Sequence, residues 1–127
     1  MLSIKMKNIK ILLIVALLPI LTVSCGQPPH QQIEIKNITN TETLILKKLS
    51  NQSNIHSLKI KGSGNIDGEA KISLILNGKE YKTANLSGMV NFDWGGDWYS
   101  DSAEIIYHPI NVKGGKISIN YCFFDLK

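Results

Sequence analysis

Residues 70–86 read Ala70-Lys71-Ile72-Ser73-Leu74-Ile75-Leu76-Asn77-Gly78-Lys79-Glu80-Tyr81-Lys82-Thr83-Ala84-Asn85-Leu86, and their pattern decides the fold class. Ala70, Ile72, Leu74 and Leu76 alternate with Lys71, Ser73, Ile75 and Asn77, the period-two signature of a strand with one buried face. Asn77-Gly78 is the dipeptide that tolerates positive φ at both central positions of a type I′ turn. The chain is therefore expected to reverse there into a second strand from Glu80 to Leu86, with Tyr81 facing inward.

The same rhythm continues outward in both directions. Ile33 and Ile35 alternate with Glu34 and Lys36, and Leu58 and Ile60 with Lys59 and Lys61. Val90, Phe92 and Trp94 share one face, as do Ala103, Ile105 and Tyr107, and Ile117, Ile119, Tyr121 and Phe123. Gly62-Ser63-Gly64, Asp67-Gly68, Gly95-Gly96, His108-Pro109 and Gly114-Gly115 read as the turns between strands. Thr39-Asn40-Thr41-Glu42 has the spacing of a helix capping box ahead of Leu44, Ile45, Leu46 and Leu49, but the surrounding rhythm favours a strand over 39–50. The expectation is all-β, a small antiparallel sandwich or barrel over residues 33–127.

The chain has 127 residues, 43% of them apolar, which suits one small domain and excludes a disordered chain. Two cysteines exclude a disulfide-dense scaffold. Residues 1–10 carry Lys5, Lys7 and Lys10 without an acid, and residues 11–23 carry no charge. That uncharged run is about 20 Å long as a helix, short of the roughly 30 Å of a bilayer core, so it reads as an export signal rather than a span.

The run ends in Leu21-Thr22-Val23-Ser24-Cys25-Gly26, which resembles the lipobox of bacterial lipoproteins, with Thr22 standing where that pattern prefers Leu or Val. The resemblance implies a signal peptide over 1–24, cleavage after Ser24 and acylation of Cys25, followed by a tether through residue 32 that contains Pro28, Pro29 and His30. It also implies a bacterial envelope protein held to the membrane by lipid. Gly26 is not the aspartate that retains such proteins at the inner membrane of many Gram-negative bacteria, so the outer membrane is the expected destination in such a host.

Three of the 14 cationic side chains lie in the leader and none of the ten acids does, so the formal charge of +4 falls to about +1 for the processed chain. All 14 are lysines. A nearly neutral domain without arginine lacks both the field and the bidentate fork of nucleic-acid binders, which excludes nucleic acid as a partner. Cys122 is expected as a thiol within a strand.

His30, His56, His108, Cys122 and the acids fall into no catalytic or metal-ligand spacing, so neither an enzyme nor a cofactor is predicted. The most distinctive stretch is Phe92-Asp93-Trp94-Gly95-Gly96-Asp97-Trp98-Tyr99-Ser100-Asp101. In a structural reading, Trp94 and Trp98 flank a Gly95-Gly96 turn and pack on the core while Asp97 and Asp101 bond turn amides. In a binding reading, Trp98 and Tyr99 stand out on a loop as a platform for a sugar face, with Trp94 beside them and Asp93, Asp97 and Asp101 accepting from hydroxyls. A calcium site from Asp93, Asp97, Asp101 and Glu104 is a third arrangement, but its spacing matches no EF-hand loop. The predicted role is non-enzymatic, structural or binding; the alternatives are a glycan- or peptidoglycan-binding module, or a small protein-inhibitor lipoprotein.

Overall fold

The structure, a computed structural model, describes residues 29–126. The expected leader, Cys25 and the start of the tether lie outside those residues. Six strands form the domain: β1 (Gln31–Glu34), β2 (Glu42–Lys47), β3 (Ile55–Leu76), β4 (Lys79–Asp97), β5 (Ser102–Pro109) and β6 (Gly114–Asp125). All pairings are antiparallel, and the all-β expectation holds, with the sheet curled into a half-barrel. No helix among the described residues is long and apolar enough to cross a membrane.

β3 is the spine, 22 residues long. Along one edge it pairs with β4 through the Asn77-Gly78 hairpin, whose φ values of 53° and 77° are those of the expected turn. On its other edge, β6 pairs with Ile55–Asp67 and β5 with Ala70–Ile75. β1 adds to β6, and β2 to β5. The change of partner falls at a bulge in which Asp67 and Gly68 have no opposite residue in β4. On the other edge, backbone groups left without a strand partner where β6 gives way to β5 are taken up by the β5–β6 loop. Ile110 N donates to Glu69 O at 2.8 Å, Lys113 N to Asp67 O at 2.8 Å, and Glu69 N to Asn111 Oδ1 at 2.6 Å.

Four of the five expected turns are therefore strand. Gly62-Ser63-Gly64 and Asp67-Gly68 lie within β3, Gly95-Gly96 within β4, and Gly114-Gly115 opens β6. The fifth, His108-Pro109, ends β5 immediately before the real turn. Within β3 the glycines serve close packing instead. A side chain at Gly62 would overlap the Phe92 ring, and one at Gly64, where φ is 143°, would overlap the carbonyl oxygen of Lys116 on β6.

The concave face holds the core, with Leu46, Ile60, Ile72, Ile105, Tyr107, Ile117, Ile119 and Phe123 fully buried. The Tyr107 hydroxyl donates to Ile38 O at 2.6 Å and so satisfies its buried oxygen. The segment with a capping-box spacing is β2, with Leu44 and Leu46 inward and Ile45 outward. Glu42 caps no helix: its carboxylate accepts from the amides of Lys36 and Asn37 in the turn after β1. Two expected inward positions differ. Leu76 beside the hairpin is partly exposed, and Tyr81 is 51% exposed.

Candidate functional site

Tyr81 departs from expectation because of a second register shift. Across the hairpin Leu76 faces Lys79 and Ile75 faces Glu80, but Leu74 faces Lys82, so Tyr81 is the extra residue of a bulge. The displaced ring stands at the mouth of the half-barrel, 6.5 Å from the Trp98 ring centroid at 45°, with Lys82 Nζ 5.1 Å from its own centroid. Lys71 and Glu80 clamp the neighbouring rung at 2.9 Å, and that lysine holds the Glu80 carboxyl below its ordinary range.

Around Tyr81 the inner ends of β3 and β4 leave a shallow concavity lined by Leu58, Leu74, Lys82, Trp94, Asp97 and Trp98. Trp98 forms its wall rather than its platform. It is only 6% exposed, its indole N–H donates to Ser102 O at 3.0 Å, and its backbone N–H donates to His56 O at 3.1 Å. Trp94 is half-buried and packs on Phe92 with centroids 4.6 Å apart. Gly95 and Gly96 pair with Lys59 and Leu58 in the ladder, and open space lies beside the Gly96 α-carbon, so backbone borders the concavity there.

The six residues singled out in the sequence thus separate onto three surfaces. Trp94, Asp97 and Trp98 meet at the mouth. Asp93 lies on the convex face opposite Lys61, in a hollow with His30, Lys59 and Asn120. Tyr99, 76% exposed, and Asp101 border a hollow at one end of the domain with Lys48, Ser53, His56 and Leu126. The loop platform of Trp98 and Tyr99 is therefore not formed, because Trp98 turns inward against Ser102 while Tyr99 turns out to water. No group of three or more histidine, cysteine or acidic side chains among the described residues converges as a metal site.

Tyr81 is the residue that sequence reading assigned to the core. Counting back from a two-residue turn pairs it with inward-facing Leu74, and nothing in the residue types announces the bulge that breaks this register.

The remaining reactive groups stand apart. His108 Nδ1 lies 3.2 Å from Thr41 Oγ1 at the β5 end, far along the chain from the hollows that hold His30 and His56. Burial pushes the Cys122 thiol up, away from the nucleophilic thiolate, and pushes up the Tyr107 and Tyr121 phenols as well.

No protein-family profile matches the sequence, and no curated protein is similar to it. Among solved structures, the chain is similar to a carbohydrate-binding module, CBM36, in complex with calcium and xylotriose. The TM-score is 0.35 at 14% identity, covering 76% of this chain and 87% of that one.

Proposed function

We propose that this protein is an exported lipoprotein, acylated on Cys25, whose β-domain is a non-catalytic binding module that meets envelope glycan at the mouth of the half-barrel. The observation that carries the binding reading is the bulge that sets the Tyr81 ring half in water beside Trp94 and Trp98. An amphipathic ring on an open, partly apolar hollow suits the apolar face of a sugar, and Lys82 and Asp97 at its rim suit hydroxyls. The scattering of the histidines and the raised Cys122 thiol favour binding over catalysis. The envelope address rests on the charged leader, its short apolar run and the Ser24-Cys25-Gly26 junction.

Tryptophan fluorescence titrated with soluble peptidoglycan fragments and surface oligosaccharides tests the site. Tyr81→Ala is expected to weaken binding by about tenfold, the effect of losing a central aromatic contact, while Tyr99→Ala leaves it unchanged. Equal affinity in the Tyr81 variant, or loss in the Tyr99 variant, would remove the mouth as the site. For the anchor, Cys25→Ser is expected to abolish palmitate labelling and release the chain from membranes.

A further inference from the structure

Pro29, the first described residue, lies against the convex face of the sheet. Its carbonyl oxygen is 3.9 Å from Cys122 Sγ, and His30 borders a hollow with Lys59, Lys61, Asp93 and Asn120. This is the face opposite the core. Cys122 alternates with Tyr121 and Phe123, which point inward, and Lys59 and Lys61 alternate with Leu58 and Ile60. The chain therefore leaves the domain from the outside of the curl, and only Gly26, Gln27 and Pro28 separate Pro29 from Cys25.

That spacing is a short leash. Four residues reach at most about 14 Å when fully extended. A domain of this length has a radius of gyration of about 13 Å, so the path round it from one face to the other is on the order of 40 Å. A lipid on Cys25 could not reach a bilayer lying against the mouth.

We infer that the convex face around Lys59, Lys61 and Asn120 is the membrane-facing surface of the protein, resting on phospholipid headgroups, and that the Tyr81–Trp94 mouth is held facing away from the bilayer. This rests on the proposed acylation of Cys25. The surface suits headgroups rather than acyl chains: Lys59 and Lys61 offer ammonium groups, Asn120 and Ser118 offer hydrogen bonds, and Asp93 keeps the net charge low. Its large exposed apolar side chains, Ile45 on β2 and Met89 on β4, stand singly outside the patch of Lys59, Lys61 and Asn120 and make no continuous apolar face of the kind that buries into lipid. The leash then has a functional consequence, because a short tether on the convex side aims the mouth at whatever lies beyond the membrane.

The test uses the full-length protein purified from membranes and placed in phospholipid nanodiscs that contain a gadolinium-chelating lipid. Nitroxides are attached at Lys59→Cys, Asn120→Cys, Lys82→Cys and Tyr99→Cys in a Cys122→Ala background. Relaxation by the lipid-borne gadolinium is expected to be several-fold stronger at positions 59 and 120 than at 82 and 99. A flexible insert of twenty Gly/Ser residues between Gln27 and Pro28 is expected to erase that difference, since it lengthens the reach to about 25 Å on average. Intact mass separates loss of the anchor from loss of the orientation. A chain carrying no acyl groups overturns the anchor and the orientation together. An acylated chain with equal relaxation at all four positions overturns the orientation alone, and a contrast that persists with the long insert overturns the leash as the cause of the orientation, leaving surface chemistry to set it.

Discussion

At the scale of single residues, two kinds of position complement the buried apolar core, those where a side chain is absent and those whose polar ends are satisfied inside it. Gly64 belongs to the first kind: at φ 143° and against the Lys116 carbonyl, an added methyl meets both strain and overlap. Gly64→Ala is expected to cost about 2–4 kcal/mol in urea unfolding, whereas Gly78→Ala, with open space around it, costs about 1 kcal/mol. Tyr107 belongs to the second kind. Tyr107→Phe leaves Ile38 O without its donor and is expected to cost about 1–2 kcal/mol. The same residue predicts a pH dependence. Burial raises Tyr107, Tyr121 and Cys122 above their unfolded values, so the folded chain holds these protons more tightly. Their contribution is fully present at neutral pH and is lost as pH rises past about 9. Urea midpoints measured from pH 7 to 10.5 should fall, and fall less steeply for Tyr107→Phe; a flat profile would contradict the burial argument. Most core positions were legible here, since Ile72, Leu74, Ile105, Ile117 and Ile119 occupy the inward phase of each alternation. Tyr81 was not, because it sits on a bulge, whereas Trp98 packs inward as the structural reading of its stretch expected, although in the loop after β4 alternation alone no longer assigns a face.

Elements show where glycine misleads. A Gly-Ser-Gly triplet or an Asp-Gly pair between apolar runs is a sound turn signal when the chain must reverse, but β3 runs on through both. What the glycines permit is the close approach of β4 and β6 to a strongly curled spine. At the Asp67-Gly68 bulge the β5–β6 loop hydrogen-bonds to the far edge of β3, with Asn111 Oδ1 accepting from the Glu69 amide. Asn111→Ala is accordingly expected to cost about 1–2 kcal/mol, more than an exposed loop substitution usually does, and to speed hydrogen exchange at the amide of Glu69. Unchanged exchange there would mean that the loop does not hold the bulge. The β2 segment teaches the complementary lesson, since Glu42 has the position of a capping residue yet serves the turn behind it.

Over the whole molecule, one strand touches three others, so the domain has no part that can separate cleanly. β3 pairs with β4, β5 and β6, and the two short strands hang from β5 and β6. Unfolding is expected to be a single transition in which far-ultraviolet circular dichroism and tryptophan emission coincide. Trp98, shielded and bonded to Ser102, should emit blue and resist acrylamide until that transition. An earlier red shift of Trp98 would show that the mouth opens on its own. The half-barrel also sets two faces against each other. The aromatic mouth opens on the concave side, and the N-terminal segment leaves from the convex side.

Alternation of apolar and polar residues, the Asn77-Gly78 turn and the charged leader with its Ser24-Cys25-Gly26 junction are local properties, and from them the sequence alone determined an all-β class and an expected envelope address. Local patterns carry that much because a strand's two faces and a type I′ turn depend on residues a few positions apart. The tertiary structure decided that four glycine clusters are strand, that β3 serves three partners, and that Tyr81 rather than Tyr99 stands beside the tryptophans. Those outcomes depend on which strands meet and in what register, and a shift of one residue at a bulge is set by contacts between segments far apart in the chain.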